Sequence, residues 1–105
     1  KGRITYLGAV LDADLMKHVI DWAADDAQLK PEFSAVPAGV EVCRRIDGKR
    51  TVFVLINHNL TEQNPAELHI TLPEAMRDLL HDGQAITSVD LAPQGVAVLE
   101  ADGQQ

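Results

Sequence analysis

Val40-Glu41-Val42-Cys43-Arg44-Arg45-Ile46-Asp47-Gly48-Lys49-Arg50-Thr51-Val52-Phe53-Val54-Leu55-Ile56 is the stretch on which the fold turns. Its first part alternates apolar with polar up to Arg44, the period of a strand with one face on a core. Asp47-Gly48 then separates it from a second, strongly apolar run. An Asp-Gly between two such runs predicts a hairpin, because both central positions of the tight turn favour positive φ. Working outward, Leu68–Leu72 alternates again and Pro73 is read as its end. Met76–Leu80 is a short piece closed by Asp82-Gly83, and Ala85–Leu91 and Val96–Glu100 flank Pro93-Gln94-Gly95. Six short strands with turn residues between them predict a mainly β fold, an antiparallel sandwich with Greek-key-like connections or a small barrel, over residues 39–101. The polar residues 102–105 read as a tail.

The N-terminal third reads differently. Ile4-Thr5-Tyr6-Leu7-Gly8-Ala9-Val10-Leu11 is a nearly continuous apolar run, expected as a strand over about 3–10 buried on both faces. A helix is expected over about 13–29, capped by Asp12 or Asp14. Met16, Val19, Ile20, Ala23 and Ala27 form its apolar face, and Pro31 its stop. Residues 31–39 read as a linker or long turn. One strand and one helix cannot make a domain, since a parallel strand needs neighbours on both hydrogen-bonding edges. Residues 1–36 therefore read as the leftover βα unit of an α/β domain whose remainder lies elsewhere. In isolation the strand is expected either to fold back on the sandwich or to leave an apolar patch prone to self-association.

Composition narrows the functions. The chain has 105 residues, 46% hydrophobic and 24% charged, with a net charge of −7. That is globular composition for one domain plus a remnant. An acidic balance argues against phosphate-tracking nucleic-acid binding. No run of 18 apolar residues is present to span a membrane. Cys43 is the lone cysteine, which excludes an internal disulfide and a cysteine-built zinc site. The length is far below the roughly 250 residues of a complete (β/α)₈ barrel. The first residue is Lys1, not Met, a strand pattern follows at once, and no basic segment with an apolar stretch and cleavage site precedes it, so the chain is expected to be a piece of a longer one.

Candidate chemistry is sparse. A glycosidase needs two carboxyl groups roughly 5–9.5 Å apart across a cleft. Asp12 and Asp14 lie at a helix start and Asp25 and Asp26 at its end, where adjacent side chains diverge, so they read as a cap and a solvated face. His18, His58, His69 and His81 show no i, i+4 metal-ligand spacing; His58 and His69 would meet only across a sheet, and no metal site is expected. Cys43 has no sequence signal of a base beside it and reads as structural. Asn57 and His58 read as a turn-stabilising pair at a strand end. Asn59-Leu60-Thr61 is a sequon, with no sign of secretion to make it matter. The aromatics number four, Tyr6, Trp22, Phe33 and Phe53. Two fall in the leftover unit, one in the linker and one in an apolar strand, which leaves no stacking platform for sugars on the β domain.

Several motifs in order resemble the C-terminal end of family 42 glycoside hydrolases, the bacterial β-galactosidases. They are Ile4-Thr5-Tyr6-Leu7-Gly8, then Pro37-Ala38-Gly39-Val40-Glu41-Val42-Cys43-Arg44-Arg45, then Phe53-Val54-Leu55-Ile56-Asn57-His58. Arg77-Asp78-Leu79-Leu80 with Gly83, and Leu91-Ala92-Pro93-Gln94-Gly95-Val96-Ala97-Val98-Leu99, complete the set. The chain departs from the family pattern at Gln94, where Tyr is frequent, and at Ala9, where Thr is. The resemblance covers almost the whole chain. It implies a parent with a barrel holding two catalytic glutamates, a middle α/β trimerisation domain and a small closing β domain.

On that reading residues 1–36 end the middle domain and 39–101 are the closing one. The segment is a non-catalytic accessory domain of a retaining enzyme that removes terminal non-reducing β-D-galactose. The resemblance carries over no catalytic, cofactor-binding or metal residue, and implies no cofactor. It implies a cytoplasmic homotrimeric parent and, as partners, the parent's other domains. A galactoside-binding module is the alternative, followed by a protein-interaction module or an unrecognised enzyme.

Overall fold

A computed structural model describes residues 2–62 and 65–101. The chain divides into two compact units, residues 1–31 and 32–105. The predicted tail at 102–105 lies outside the described residues.

In the first unit, α1 spans Ala13–Asp26. Asp12 is its N-cap, accepting from the Leu15 backbone N–H at 2.8 Å. The helix stops well short of the proline. Gln28 takes φ 57°, its N–H donates to the Asp25 carbonyl, and the Leu29 N–H donates to the Ala24 carbonyl. This is a Schellman closure, which satisfies the last carbonyls by placing one residue in the left-handed region, here without glycine. The expected strand over 3–10 is absent: residues 2–12 join no sheet. A strand is stable only when its backbone donors and acceptors find a neighbour, and among the described residues no strand pairs with it. Its apolar side chains stand in solvent, with Ile4 98% and Val10 102% exposed. α1 buries none of its residues.

The second unit is mainly β. It is a single antiparallel sheet of five strands, β1 (Val40–Asp47), β2 (Arg50–Asn57), β3 (Leu68–Asp78), β4 (Gln84–Leu91) and β5 (Val96–Ala101), in the order β1-β2-β5-β3-β4. The mainly β, antiparallel architecture is as expected, drawn here from one sheet, and five strands replace the expected six. The merger of two expected strands into β3 turns on Pro73. It lacks a backbone N–H, but it sits where the β3–β4 register breaks between Thr71 and Met76, so no ladder bond is lost. β3 therefore runs on through the irregularity. Its first half pairs with β4 alone, while Met76–Asp78 pair with both β4 and β5.

The first hairpin also differs in detail from expectation. Asp47 pairs with Arg50, so the two loop residues are Gly48 and Lys49, and only Gly48 has positive φ, at 60°. Glycine first in a two-residue loop is the type II′ pattern, whose twist suits the flanking strands.

Alternate residues of each strand converge on one core. Phe53 and Leu55 of β2, Ile70, Leu72 and Met76 of β3, Leu91 of β4, and Ala97, Leu99 and Ala101 of β5 are buried together. Val40, Val42, Ile86 and Val89 pack around them. The stretch before β1 is not a free linker. Phe33 enters this core and meets Phe53 edge-on, with ring centroids 5.3 Å apart at 74°, a favoured aromatic geometry. Arg44 and Glu32 form an ion pair that holds the same stretch.

Candidate functional site

The polar groups most able to do chemistry gather at the end of the β unit where β2 finishes. Asn57 is the last residue of β2 and is fully buried. Its Nδ2 donates to the carbonyls of Leu91 and Ala92, at 3.2 and 3.0 Å. Its Oδ1 accepts from the Asn59 backbone N–H and from Asn59 Nδ2, at 3.0 and 2.9 Å. Both donors and both acceptor sites of the amide are thus used. Asn59 Nδ2 also donates to Ala38 O at 3.0 Å. Gly39, at φ 84°, faces it so closely that a Cβ there would lie 2.5 Å from that nitrogen. Of the pair Asn57 and His58 expected to steady a turn, Asn57 forms a clasp with Asn59, whereas His58 turns to Glu41. Asn57 and Asn59 join the β1 entry, the β2 exit and the β4–β5 turn, and the sequon asparagine is one of its members.

Beside the clasp lie Glu41, Cys43 and His58. The Cys43 thiol donates to Glu41 Oε1 at 3.0 Å, and His58 Nε2 lies 2.7 Å from Glu41 Oε2. The hydrogen bonds from Cys43 and then His58 hold the Glu41 carboxyl below its usual range. The same bond, followed by partial burial, pushes the Cys43 thiol up. A nucleophilic cysteine needs a stabilised thiolate; a carboxylate beside the sulfur does the opposite.

The remaining histidines take separate partners. His69 Nδ1 pairs with Asp90 at 2.7 Å across β3 and β4. His81 Nδ1 pairs with Asp78 at 2.8 Å in the β3–β4 turn, where Asp78 also accepts from the Leu80 N–H. His18 Nδ1 reaches the Asp14 carbonyl at 2.8 Å, one helical turn back. Among the described residues no three His, Cys, Asp or Glu side chains group as a metal site. Asp26 pairs with Arg3, and Asp12 is spent on its cap.

Sequence reasoning missed Glu100. Although it sits in the apolar run of β5, its side chain is only 8% exposed, and it binds Arg50 Nε at 2.8 Å and Arg77 Nη2 at 2.7 Å. The hydrogen bond from Arg50, outweighing burial, keeps its carboxyl low. A carboxylate so held is poorly suited to act as a general acid near neutrality. No local signal points to it, because only strand pairing sets Arg77 opposite Glu100. Tyr6 and Trp22 are exposed in the first unit, and the β unit presents no aromatic face.

These arrangements define a small antiparallel β module in which Asn57, Asn59, Asp78 and Glu100 tie strands and turns together. No protein-family model matches the sequence, and no curated protein matches it. Solved structures do. A β-galactosidase from Bacillus circulans sp. alkalophilus matches at 29% identity and TM-score 0.70, over 87% of this chain and 13% of that one. A catalytic mutant of Gan42B, a GH42 β-galactosidase from G. stearothermophilus, matches at 21% identity and TM-score 0.75, over 90% and 13%. A cold-adapted β-galactosidase from Rahnella sp. R3 matches at 20% identity and TM-score 0.63, over 86% and 12%. The chain thus resembles family 42 β-galactosidases over a coverage consistent with a C-terminal fragment. It spans about 13% of the length of these chains. Among the described residues no helix is long and apolar enough to cross a membrane.

Proposed function

We propose that this chain is the C-terminal segment of a β-galactosidase that releases terminal non-reducing β-D-galactose, and that the segment itself is a non-catalytic accessory domain. The observation that carries the reading is the likeness of 86–91% of the chain to solved β-galactosidases. The chemistry supports it. Glu41 and Glu100 are both held low rather than high, and Asp12, Asp26, Glu32, Asp78 and Asp90 are engaged in a cap, a turn and ion pairs. The domain stabilises the parent by adding a self-contained core at one end of it, which slows unfolding. Residues 1–31 close the preceding α/β domain, whose strands supply the pairing that residues 3–10 lack here, while Phe33 belongs to the β unit. The parent is a cytoplasmic homotrimer, and the partners of this segment are its other domains.

The test is a hydrolase assay of the 105-residue chain on a chromogenic β-galactoside, alongside an amide-NMR titration with galactose and lactose to high millimolar concentration. Neither turnover nor saturable shifts are expected. Turnover would make the segment catalytic, and localised saturable shifts would make it a galactoside-binding module; either outcome overturns the accessory role. The parent's activity is tested separately, by assaying the full-length polypeptide on the same substrate.

A further inference from the structure

The Asp-Gly pairs at 47–48 and 82–83 look alike in sequence and are held differently in the structure. Asp-Gly is also the dipeptide at which a peptide chain rearranges most readily. The glycine nitrogen, with no side chain on its own residue to obstruct it, can attack the side-chain carbonyl of the aspartate before it. In a folded chain two conditions govern that attack: whether the nitrogen is free, and where the backbone of the aspartate places it.

In the β3–β4 turn both conditions fail. The Gly83 N–H donates to the Asp78 carbonyl at 2.8 Å, so its nitrogen is tied up. Asp82 has φ 60°, in the left-handed region. There an L-residue carries the following nitrogen anti to its own Cβ, the arrangement farthest from ring closure. Asp78 braces the same turn by accepting from the Leu80 N–H at 3.0 Å and pairing with His81 Nδ1 at 2.8 Å.

At the tip of the β1–β2 hairpin neither obstacle stands. Asp47 and Arg50 are the last pair of the ladder, so the Gly48 N–H lies outside it. Asp47 is extended, and only that closing pair restrains rotation about its Cα–C bond. Pairs at the end of a ladder open at far lower free energy than its centre. Among the described residues no hydrogen bond or ion pair holds the Asp47 carboxyl in place; its negative charge is felt by Arg50.

We propose that Asp47 is a site of spontaneous isomerisation to isoaspartate, and that the β3–β4 turn protects Asp82 from the same change. The Gly48 nitrogen attacks Cγ of the protonated Asp47 carboxyl. A C–N bond forms, the nitrogen gives up its proton, and one carboxyl oxygen leaves as water, closing a five-membered imide. Water then opens the ring. Opening at the side-chain carbonyl restores aspartate; opening at the main-chain carbonyl leaves the chain running through Cγ and frees the α-carboxyl. The net change is an isomerisation without change of mass, and it needs no reagent but water. The product lengthens the backbone by one carbon opposite Arg50, the residue whose Nε binds Glu100 at 2.8 Å. The inference rests on residues 32–101 alone and is independent of the accessory-domain reading.

Ageing of the 105-residue chain for several weeks at about pH 6 and 37 °C is the experiment. The aged chain is denatured and cut with endoproteinase Asp-N, which cleaves before aspartate and not before isoaspartate, and mass spectrometry reads the uncut fraction at each site. Resistance at Asp47 should accumulate about tenfold faster than at Asp82, because only the hairpin tip opens locally. A parallel sample aged in guanidinium chloride, where both turns are lost, should show the two sites reacting at similar rates. Equal rates in the native chain overturn the proposal, since the turn geometry would then select nothing. Product at Asp47 in guanidinium chloride alone overturns it by showing that the closing pair is itself a lock. A difference that persists in guanidinium chloride overturns it too, because local sequence and not the fold would set the rates.

Discussion

Residues 1–31 and residues 32–101 are written in similarly apolar language and reach different ends. In the second unit the apolar positions of five strands meet one another, and Leu55, Ile70 and Leu99 lose all contact with solvent. In the first, an eight-residue apolar run and an amphipathic helix leave Ile4, Tyr6, Val10 and Ile20 exposed. Hydrophobic patterning states what a segment is able to bury. Whether it does so depends on a partner, because burial and backbone pairing are properties of two surfaces.

Hydrogen exchange puts that contrast to its hardest trial. Amides of β2 and β5 should exchange only through global unfolding, orders of magnitude more slowly than those of α1. A helix of 14 residues with no buried side chain has little beyond its own marginal propensity to hold it. Equal protection in both units would show the helix face to be covered in solution and would break the comparison.

The next largest effect belongs to the clasp. Asn57→Ala strands the Asn59 donors and the Leu91 and Ala92 carbonyls in a buried site, with an expected loss of about 2–4 kcal/mol. Urea denaturation followed by Phe33 and Phe53 near-ultraviolet signals measures it, and a loss below about 1 kcal/mol would mean that water replaces the amide. In the first unit the sign reverses. Gln28 occupies a left-handed position that suits glycine, so Gln28→Gly should stabilise α1 by about 1 kcal/mol, seen as higher helical ellipticity.

A pH titration sharpens the comparison from the charged side. Arg50, and with it Arg77, keeps the Glu100 carboxyl below the ordinary carboxylate range. A folded-state pKa lower than the unfolded one gives stability that is present above about pH 4.5 and lost as pH falls through the folded value. Acid unfolding of the β unit should therefore be steeper than that of Glu100→Gln; superimposable acid limbs would remove Glu100 from the account. The smallest effect touches reactivity alone. Because Glu41 raises the Cys43 thiol, Glu41→Gln should lower it and speed alkylation at pH 8, with unchanged denaturation curves. An unchanged alkylation rate would mean that access, and not charge, limits the sulfur.

Strand positions are legible where alternation or a short apolar run is bounded by turn residues, as in Val40–Ile56 and Val96–Glu100. Pro73 misled because its effect depends on whether its missing N–H is needed, and only the register of β3 against β4 and β5 answers that. Phe33 looked like part of a linker because its ring partner, Phe53, lies across a turn of chain that local pattern does not span. Of the polar groups, Asp12 was readable as a cap three residues from its donor. The pairing of Glu100 with residues 50 and 23 positions away was beyond local reading, as was the use of both ends of Asn57.

By itself, then, the sequence determined that this chain is an acidic, mainly β protein with a helical segment ahead of its strands, because periodicity, turn chemistry and composition are local properties. Tertiary structure decided that the strands form a single sheet, that Asn57 and Glu100 are spent on holding it, and that the first apolar run pairs with nothing here. Each of those outcomes depends on which distant groups come within a few ångströms, where desolvated hydrogen bonds and packing operate.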